Sequence, residues 1–557
     1  MRKTMVDSTK RTAETPSFSR RSLLRGVGVL GLGLGVTTLA AACGTAQPNG
    51  DGSGSGSGGS GGTLTIGIDG TSAIHDPAFY TTLGDWMVVD CVCRGLTFID
   101  FETNEPQPDL AESWTVSEDG RTYTFTLRQG VTFHDGSTLT ANDVVRSLSR
   151  QFDKNDPTLP TGSSRPLKSI GNNFESIRAV DDSTVELVLQ TPDGTVLSKL
   201  SDIGGRIMPA AAIEQYGQDI GKNLIGTGPY KLVSSTSGQN VVLEAFDDYY
   251  EGAPATRRLV LQQIQDPSTI ISSLISGDIS ATALTPHSSL GQLRGNDKVV
   301  VYEPAPSFDA FVIMDVRQPA LAELEVRKAI NLAIDRKAIL EQVFFGVGAL
   351  PEGYLLPPSV EGYDTSLAGI GTSDPAEARR LLESVGATGR RLTLLAASDA
   401  WHPRAAQIVE QNLKDIGLEI TVETIDPATF SSRVFDPTSS GHELMIWERN
   451  SYVPDPDNLA GEMTISTGVY AGVVGGYNTL PRYAETFDPM VKEARAVTSP
   501  AERKEIYTTL QKKFADEIMG VAMLACASNP VVTGVGVSDL NLAALANHRC
   551  FAETARV

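Results

Sequence analysis

The sequence predicts a mixed α/β protein of more than one domain. Three observations carry this. At 557 residues the chain is long enough for several domains with substantial cores. Short alternating strands such as Thr63-Leu64-Thr65-Ile66-Gly67-Ile68 stand beside helices marked by their own caps, such as Asp374-Pro375-Ala376-Glu377. The two kinds of element are mixed along the whole chain, and no short-period repeat interrupts them. Hydrophobic residues make up 41% and charged residues 20%, an ordinary globular balance. The formal charge of −21 argues against nucleic-acid binding, which needs a basic face to displace counterions.

Residues 1–42 read as an address and not as part of the fold. The run Ser19-Arg20-Arg21-Ser22-Leu23-Leu24-Arg25 resembles a twin-arginine export signal. An uncharged, weakly apolar stretch follows over residues 27–42, shorter than the roughly 20 residues of a stable membrane span. It ends Leu39-Ala40-Ala41-Ala42-Cys43-Gly44, which resembles a bacterial lipobox with Cys43 as the lipidated residue. The match departs from the usual pattern at Ala40, where a Leu is expected. Gly26-Val27-Gly28-Val29-Leu30-Gly31 fits a dinucleotide-binding pattern but has no strand before it, so it carries no weight. Residues 43–62 form a Gly/Ser-rich tether, and folding is expected to begin near Thr63.

After the Thr63 strand, residues 81–94 fit a helix. Tyr123, Phe125 and Leu127 alternate with Thr124 and Thr126 as a half-buried strand. Val131 and Phe133 are expected to continue a second strand into a turn at Asp135-Gly136. A helix then starts at Thr140, with Asp143 placed for a capping box and Leu139 and Val144 for a hydrophobic staple. Further helices begin at Asp374-Pro375 and Ser499-Pro500, the first ending at Gly386. Val326, Ala329, Ile330, Ala333 and Ile334 give one buried helix face. Leu392 to Leu395 reads as a strand, followed by Trp401 and another helix.

Enzyme motifs are absent or incomplete. His442-Glu443 opens like a zinc-protease motif but lacks the second His four residues on. No GxSxG elbow and no P-loop occur. Only six His are present, with no close pair suited to a metal. The sequence therefore reads as a non-enzyme with no cofactor and no metal, a secreted hydrolase being the remote alternative.

Longer blocks decide the class. Pro108-Asp109-Leu110-Ala111-Glu112-Ser113-Trp114 is followed by the run from Ser117 to Gly136 (SEDGRTYTFTLRQGVTFHDG) and by Leu139-Thr140-Ala141-Asn142-Asp143-Val144. Then come Gly226-Thr227-Gly228-Pro229-Tyr230, Val326-Arg327-Lys328-Ala329-Ile330 with Ala333-Ile334-Asp335-Arg336, and Asp455-Pro456-Asp457-Asn458. In this order they closely resemble the peptide/opine/nickel-type extracellular solute-binding proteins, family 5. The resemblance covers about residues 63–557. It implies an α/β two-lobed periplasmic-binding-protein fold, the Venus flytrap, of the large peptide-binding type with an extra subdomain in lobe I. Lobe I would take residues 63–108, 200–304 and 520–557, the extra subdomain 109–199, and lobe II 305–519.

The same resemblance implies the function. The chain would be the extracytoplasmic, lipid-anchored solute-binding component of an ABC importer. It would be a monomer that captures a peptide or similar small organic solute and delivers it to membrane permease subunits. Binding of an opine, sugar or metal chelate, or a ligand-sensing role, remain alternatives. Peptide-binding relatives anchor the ligand's amino terminus on an Asp three residues after a Trp and three before an Asp-Pro pair. Here Trp447 and Asp455-Pro456 match, but the segment between them is two residues longer. Counting from either side reaches Asn450 or Tyr452, neither an acid, so Glu448 substitutes or the ligand lacks an amine there. Trp401 is a second wall candidate in lobe II, and Thr71, His75 and Asp76 are candidates in lobe I. His134-Asp135 is explained by turn chemistry. Cys526 and Cys550 both fall in the expected C-terminal return to lobe I and are candidates for a disulfide, with buried thiols as the alternative. Cys91 and Cys93 are too close to pair comfortably with each other.

Overall fold

The computed structural model describes residues 62–79, 82–100, 103–163, 166–306, 308–436, 441–450, 455–497 and 499–542. All of them belong to one compact unit, Gly59–Val557. Cys43, Tyr452 and Cys550 lie outside the described residues.

Lobe I is built on a seven-stranded sheet. Its order is Val299–Tyr302, Val531–Gly534, Ala281–Thr282, Thr63–Ile68, Arg258–Gln263, Asn240–Ala245 and Tyr230–Thr236. The first strand of the chain lies at its heart, parallel to both neighbours, with Leu64 and Ile66 fully buried. The helix expected over 81–94 forms at Leu83–Val92, where Thr82 and Asp85 make a capping box.

The extra subdomain is a four-stranded antiparallel sheet in the order Ala111–Val116, Thr122–Leu127, Thr184–Leu189, Phe174–Asp181. Tyr123, Phe125 and Leu127 point into its core, as their alternation predicts. The helix Ala141–Phe152 covers the sheet. Its start is held by the Asp143 carboxylate, which accepts from the Thr140 amide at 2.9 Å and the Thr140 hydroxyl at 2.7 Å. Leu139 and Val144 are buried in the same core. The expected strand at Val131 and Phe133 does not form. Both side chains are buried, but the backbone pairs only through one bridge, Thr132 to Thr138, before Gly136 turns the chain at φ 86°.

Lobe II holds a six-stranded sheet in the order Gly348–Ala349, Val521–Ala527, Phe308–Met314, Leu444–Asn450, Arg391–Ala397, Glu419–Ile425. Helices Leu324–Ala333, Pro375–Ser384, His402–Asp415 and Pro500–Glu517 surround it. The predicted face of Val326, Ala329, Ile330, Ala333 and Ile334 is buried throughout. Asp374 accepts from the Glu377 amide at 3.0 Å and Ser499 from the Glu502 amide at 3.5 Å, as the cap reading requires. Past the first of these helices, Gly386 adopts φ 64°.

The chain crosses between lobes twice. It leaves lobe I after Tyr302 and enters lobe II at Phe308; it leaves lobe II after Ala527 and re-enters lobe I at Val531. The expected return at residue 520 therefore moves to 528–530, because Val521–Ala527 pairs with Phe308–Met314 and Gly348–Ala349 in the lobe II sheet. The two crossings are antiparallel on both sides: Val299–Tyr302 pairs with Val531–Gly534 in lobe I. The same shift overturns the basis of the Cys526–Cys550 bridge. Cys526 is a fully buried free thiol inside lobe II, register partner of Asp309.

Candidate functional site

In lobe II three strands run parallel, Arg391–Ala397 with Glu419–Ile425 on one side and Leu444–Asn450 on the other. In lobe I, Thr63–Ile68, Arg258–Gln263 and Ala281–Thr282 do the same. Parallel strands gather their carboxyl ends at one edge, where the loops that follow form a crevice. Among the described residues, Trp401, Trp447, Glu448 and Asn450 in lobe II and Thr71, His75 and Asp76 in lobe I lie near or just beyond these ends along the chain.

Trp401 follows the strand ending at Ala397 and is nearly buried. Its indole nitrogen donates to Glu448 Oε2 at 2.7 Å. Its ring stacks on His402, with centroids 4.1 Å apart, and leans on Phe344 at 5.3 Å. The Glu448 carboxylate is thus fixed at the end of the Leu444–Asn450 strand while its side chain stays half-buried. Trp447 is also half-buried, stacked on Phe430 at 5.2 Å and edge-on to Phe435 at 5.3 Å. Asn450, the last residue of that strand, pairs with Phe308. Nearby, His402 has its pKa raised. Burial alone would lower it, but the hydrogen bond to Asp399 and the negative charges of Glu448 and Asp399 outweigh burial.

Behind this wall lies a second polar group. Asp309 and Arg449 are register partners on adjacent strands, beside a cavity of about 10 Å³ that Leu459 and Met463 also line. Burial pushes the Asp309 carboxyl up to about 8, against the opposing influence of Cys526 and Arg449. Arg449 donates to the Leu459 carbonyl at 3.1 Å and lies over the Tyr470 ring.

The other candidates are held by protein partners. Asp455 is buried, accepting from Arg503 at 2.8 Å and from the Asp457 amide at 2.8 Å. In lobe I, Asp76 is fully buried and receives both terminal nitrogens of Arg150, at 2.8 and 2.6 Å. His75 is also fully buried, with Nε2 2.8 Å from Ser235 Oγ. Thr71 accepts from Gln263 Nε2 at 2.7 Å. Gln263 ends its own strand, so it brings Thr71 to the same edge; the strand's signal in the sequence is the short apolar run Leu259-Val260-Leu261. Among the described residues, no group of three or more His, Cys, Asp or Glu is placed to share a metal ion.

Comparison with known proteins identifies the class to which this two-lobed fold belongs. The family described as bacterial extracellular solute-binding proteins, family 5 Middle, matches residues 105–471. The chain belongs to this family. The probable ABC transporter periplasmic-binding protein SapA of Escherichia coli is 27% identical over 443 residues, 75% of this chain and 79% of that protein. The Helicobacter pylori periplasmic binding protein DppA, solved with the peptide STSA, superposes with a TM-score of 0.77 at 24% identity, covering 89% of this chain and 98% of that one. AgaA of A. tumefaciens R10, solved with agropinic acid, gives 0.74 at 23% identity, covering 89% and 99%. This family 5 protein is therefore an extracellular solute binder with the two-lobed periplasmic-binding-protein fold, and the family is not one of enzymes.

Proposed function

We propose that this family 5 protein captures a small organic solute, a peptide first, between its lobes and delivers it to the permease of an ABC importer. One observation carries the ligand side of the reading: Trp401 locks the Glu448 carboxylate at the carboxyl ends of the lobe II strands, next to the half-exposed ring of Trp447. A fixed charged group between aromatic faces is how a mostly apolar pocket orients a ligand. Trp447, Glu448, Asn450 and Trp401 form the lobe II wall, with Tyr452 in the segment beyond. Thr71 and Gln263 form the lobe I wall. Asp455, His75 and Asp76 serve as its frame, since each is committed to a partner inside its own lobe. The importer role and the peptide are supported by the relatives SapA and DppA.

A second reading is a non-peptide solute such as an opine, supported by AgaA and by the two extra residues between Trp447 and Asp455. With Asn450 at the position three residues after Trp447, the wall offers hydrogen bonds, and Glu448 supplies the carboxylate. Mass spectrometry of the compound that co-purifies with the protein decides between the readings. Calorimetry of that compound against Glu448→Gln then tests the wall; unchanged affinity would count against it.

The export run at Arg20-Arg21 and the Cys43 site support a lipid anchor that holds the binder at the outer face of the membrane. In that arrangement Cys43→Ser is released from the cell and wild type is retained.

A further inference from the structure

The two lobes touch at a charged contact between the subdomain and the chain that follows the ligand-wall segment of lobe II. On the lobe I side, the helix Val196–Leu200 is rooted in the subdomain core through Val196 and Leu200. It presents Lys199, whose ammonium lies 3.4 Å from Asp193 Oδ2 of its own lobe. The same ammonium lies 3.5 Å from Asp457 Oδ2 of lobe II. Asp457 is fully buried, and its Oδ2 accepts no hydrogen bond. Its other oxygen accepts from Arg495 at 2.8 Å and from the Tyr507 hydroxyl at 3.2 Å. One backbone bond accompanies the ion pair: the Gly194 amide donates to the Arg495 carbonyl at 2.6 Å. The approach there is close. A Cβ on Gly194 would lie 3.2 Å from the Val497 carbonyl oxygen and 3.3 Å from that of Arg495.

The geometry points to Lys199 and Gly194 as a closure latch: a contact between subdomain and lobe II that sets the affinity for ligand without touching ligand. Two features fit a reversible latch and not a permanent clamp. Each half keeps a counter-charge when the lobes part, Lys199 with Asp193 and Asp457 with Arg495, so opening strands no buried charge. The contact is also small, one ion pair and one hydrogen bond, so it biases the equilibrium between open and closed forms without fixing it. Electrostatics agree in direction. Burial raises the cost of charging Asp457, yet Lys199 and Arg495 hold its carboxyl down at about 2. Lys199 in turn stays protonated, because Asp193 and Asp457 outweigh its burial. The latch also gives the extra subdomain a task, since a two-lobed binder without it would lack this contact.

The test needs no ligand. Spin labels on Glu118→Cys and Glu383→Cys, with Cys43 and Cys550 replaced by Ser, report the lobe separation in the full chain. The native protein is expected to show a short-distance population. Lys199→Met should lower the ratio of short to long distances at least about fivefold, since it removes the cation from a largely buried pair. Lys199→Arg should retain the native distribution, and Gly194→Val should open the protein as Lys199→Met does. High salt should open the native protein and leave Lys199→Met unmoved. Unchanged circular dichroism and melting in the variants separate opening from misfolding. Either of two results overturns the proposal: a Lys199→Met distribution identical to native at low salt, or a native protein with no short-distance population. Neither result bears on the ligand wall at Glu448.

Discussion

Asp309 shows how much one buried carboxyl decides. In the unfolded chain it ionises near its ordinary value of 3.8; in the fold, burial pushes it up to about 8. Between these limits the folded form holds a proton that the unfolded form has lost, so stability falls as pH rises. The contribution of Asp309 is complete below about pH 4 and is lost as pH climbs through 8. Asp309→Asn keeps the shape without the titration, and urea unfolding from pH 5 to 8 should show a shallower decline than wild type. A parallel curve would mean that Asp309 is ionised in the fold. At the ligand wall, Trp447 stacks on Phe430 but stays half open, so its truncation acts mainly on ligand. Trp447→Ala should weaken binding of the co-purifying compound by about 1–3 kcal/mol in calorimetry. Wild-type affinity in that variant would remove Trp447 from the wall.

Among the elements, the join between the subdomain helix and lobe I rests on Asp76 and Arg150, both fully buried. Removing Asp76 leaves a guanidinium uncompensated, and Asp76→Ala should cost about 3–5 kcal/mol in denaturant unfolding. Asp76→Leu with Arg150→Met should recover much of that loss, since the penalty belongs to the unpaired charge. How legible the elements were follows from the same physics. Helix starts at Thr140, Asp374 and Ser499 were readable because capping is local chemistry within four residues. The strand Thr122–Leu127 was readable because one face is buried and the other is not. By contrast, Phe308–Met314 and Val521–Ala527 are buried at every position, so their sequences carry no alternation, and the lobe boundary at 528–530 went unseen. Val131 and Phe133 misled in the opposite sense, being buried without a partner strand. Trp401 and Glu448 were each legible as candidates; their bond was not, because 47 residues separate them and only the parallel pairing of two strands brings them together. Lys199 and Asp457 lie in different lobes, beyond any spacing rule.

At the scale of the whole molecule, a double crossing between sheets permits a hinge, and ligand bound to both lobes favours the closed form. Small-angle scattering should show compaction when the purified protein, stripped of its compound, receives it again. No change in radius of gyration would argue against closure as the capture step. The double crossing has a consequence for how the molecule is made. Val531–Gly534 is among the last strands of the chain, yet it is second in the lobe I sheet, between Val299–Tyr302 and Ala281–Thr282. A ribosome releases it some 460 residues after the first strand of that sheet has emerged. Until then Val299–Tyr302 has no neighbour to join it to the rest, and lobe I waits unfinished while lobe II is assembled. Contacts so distant along the chain make for slow folding. The first lobe to be started is the last to be completed.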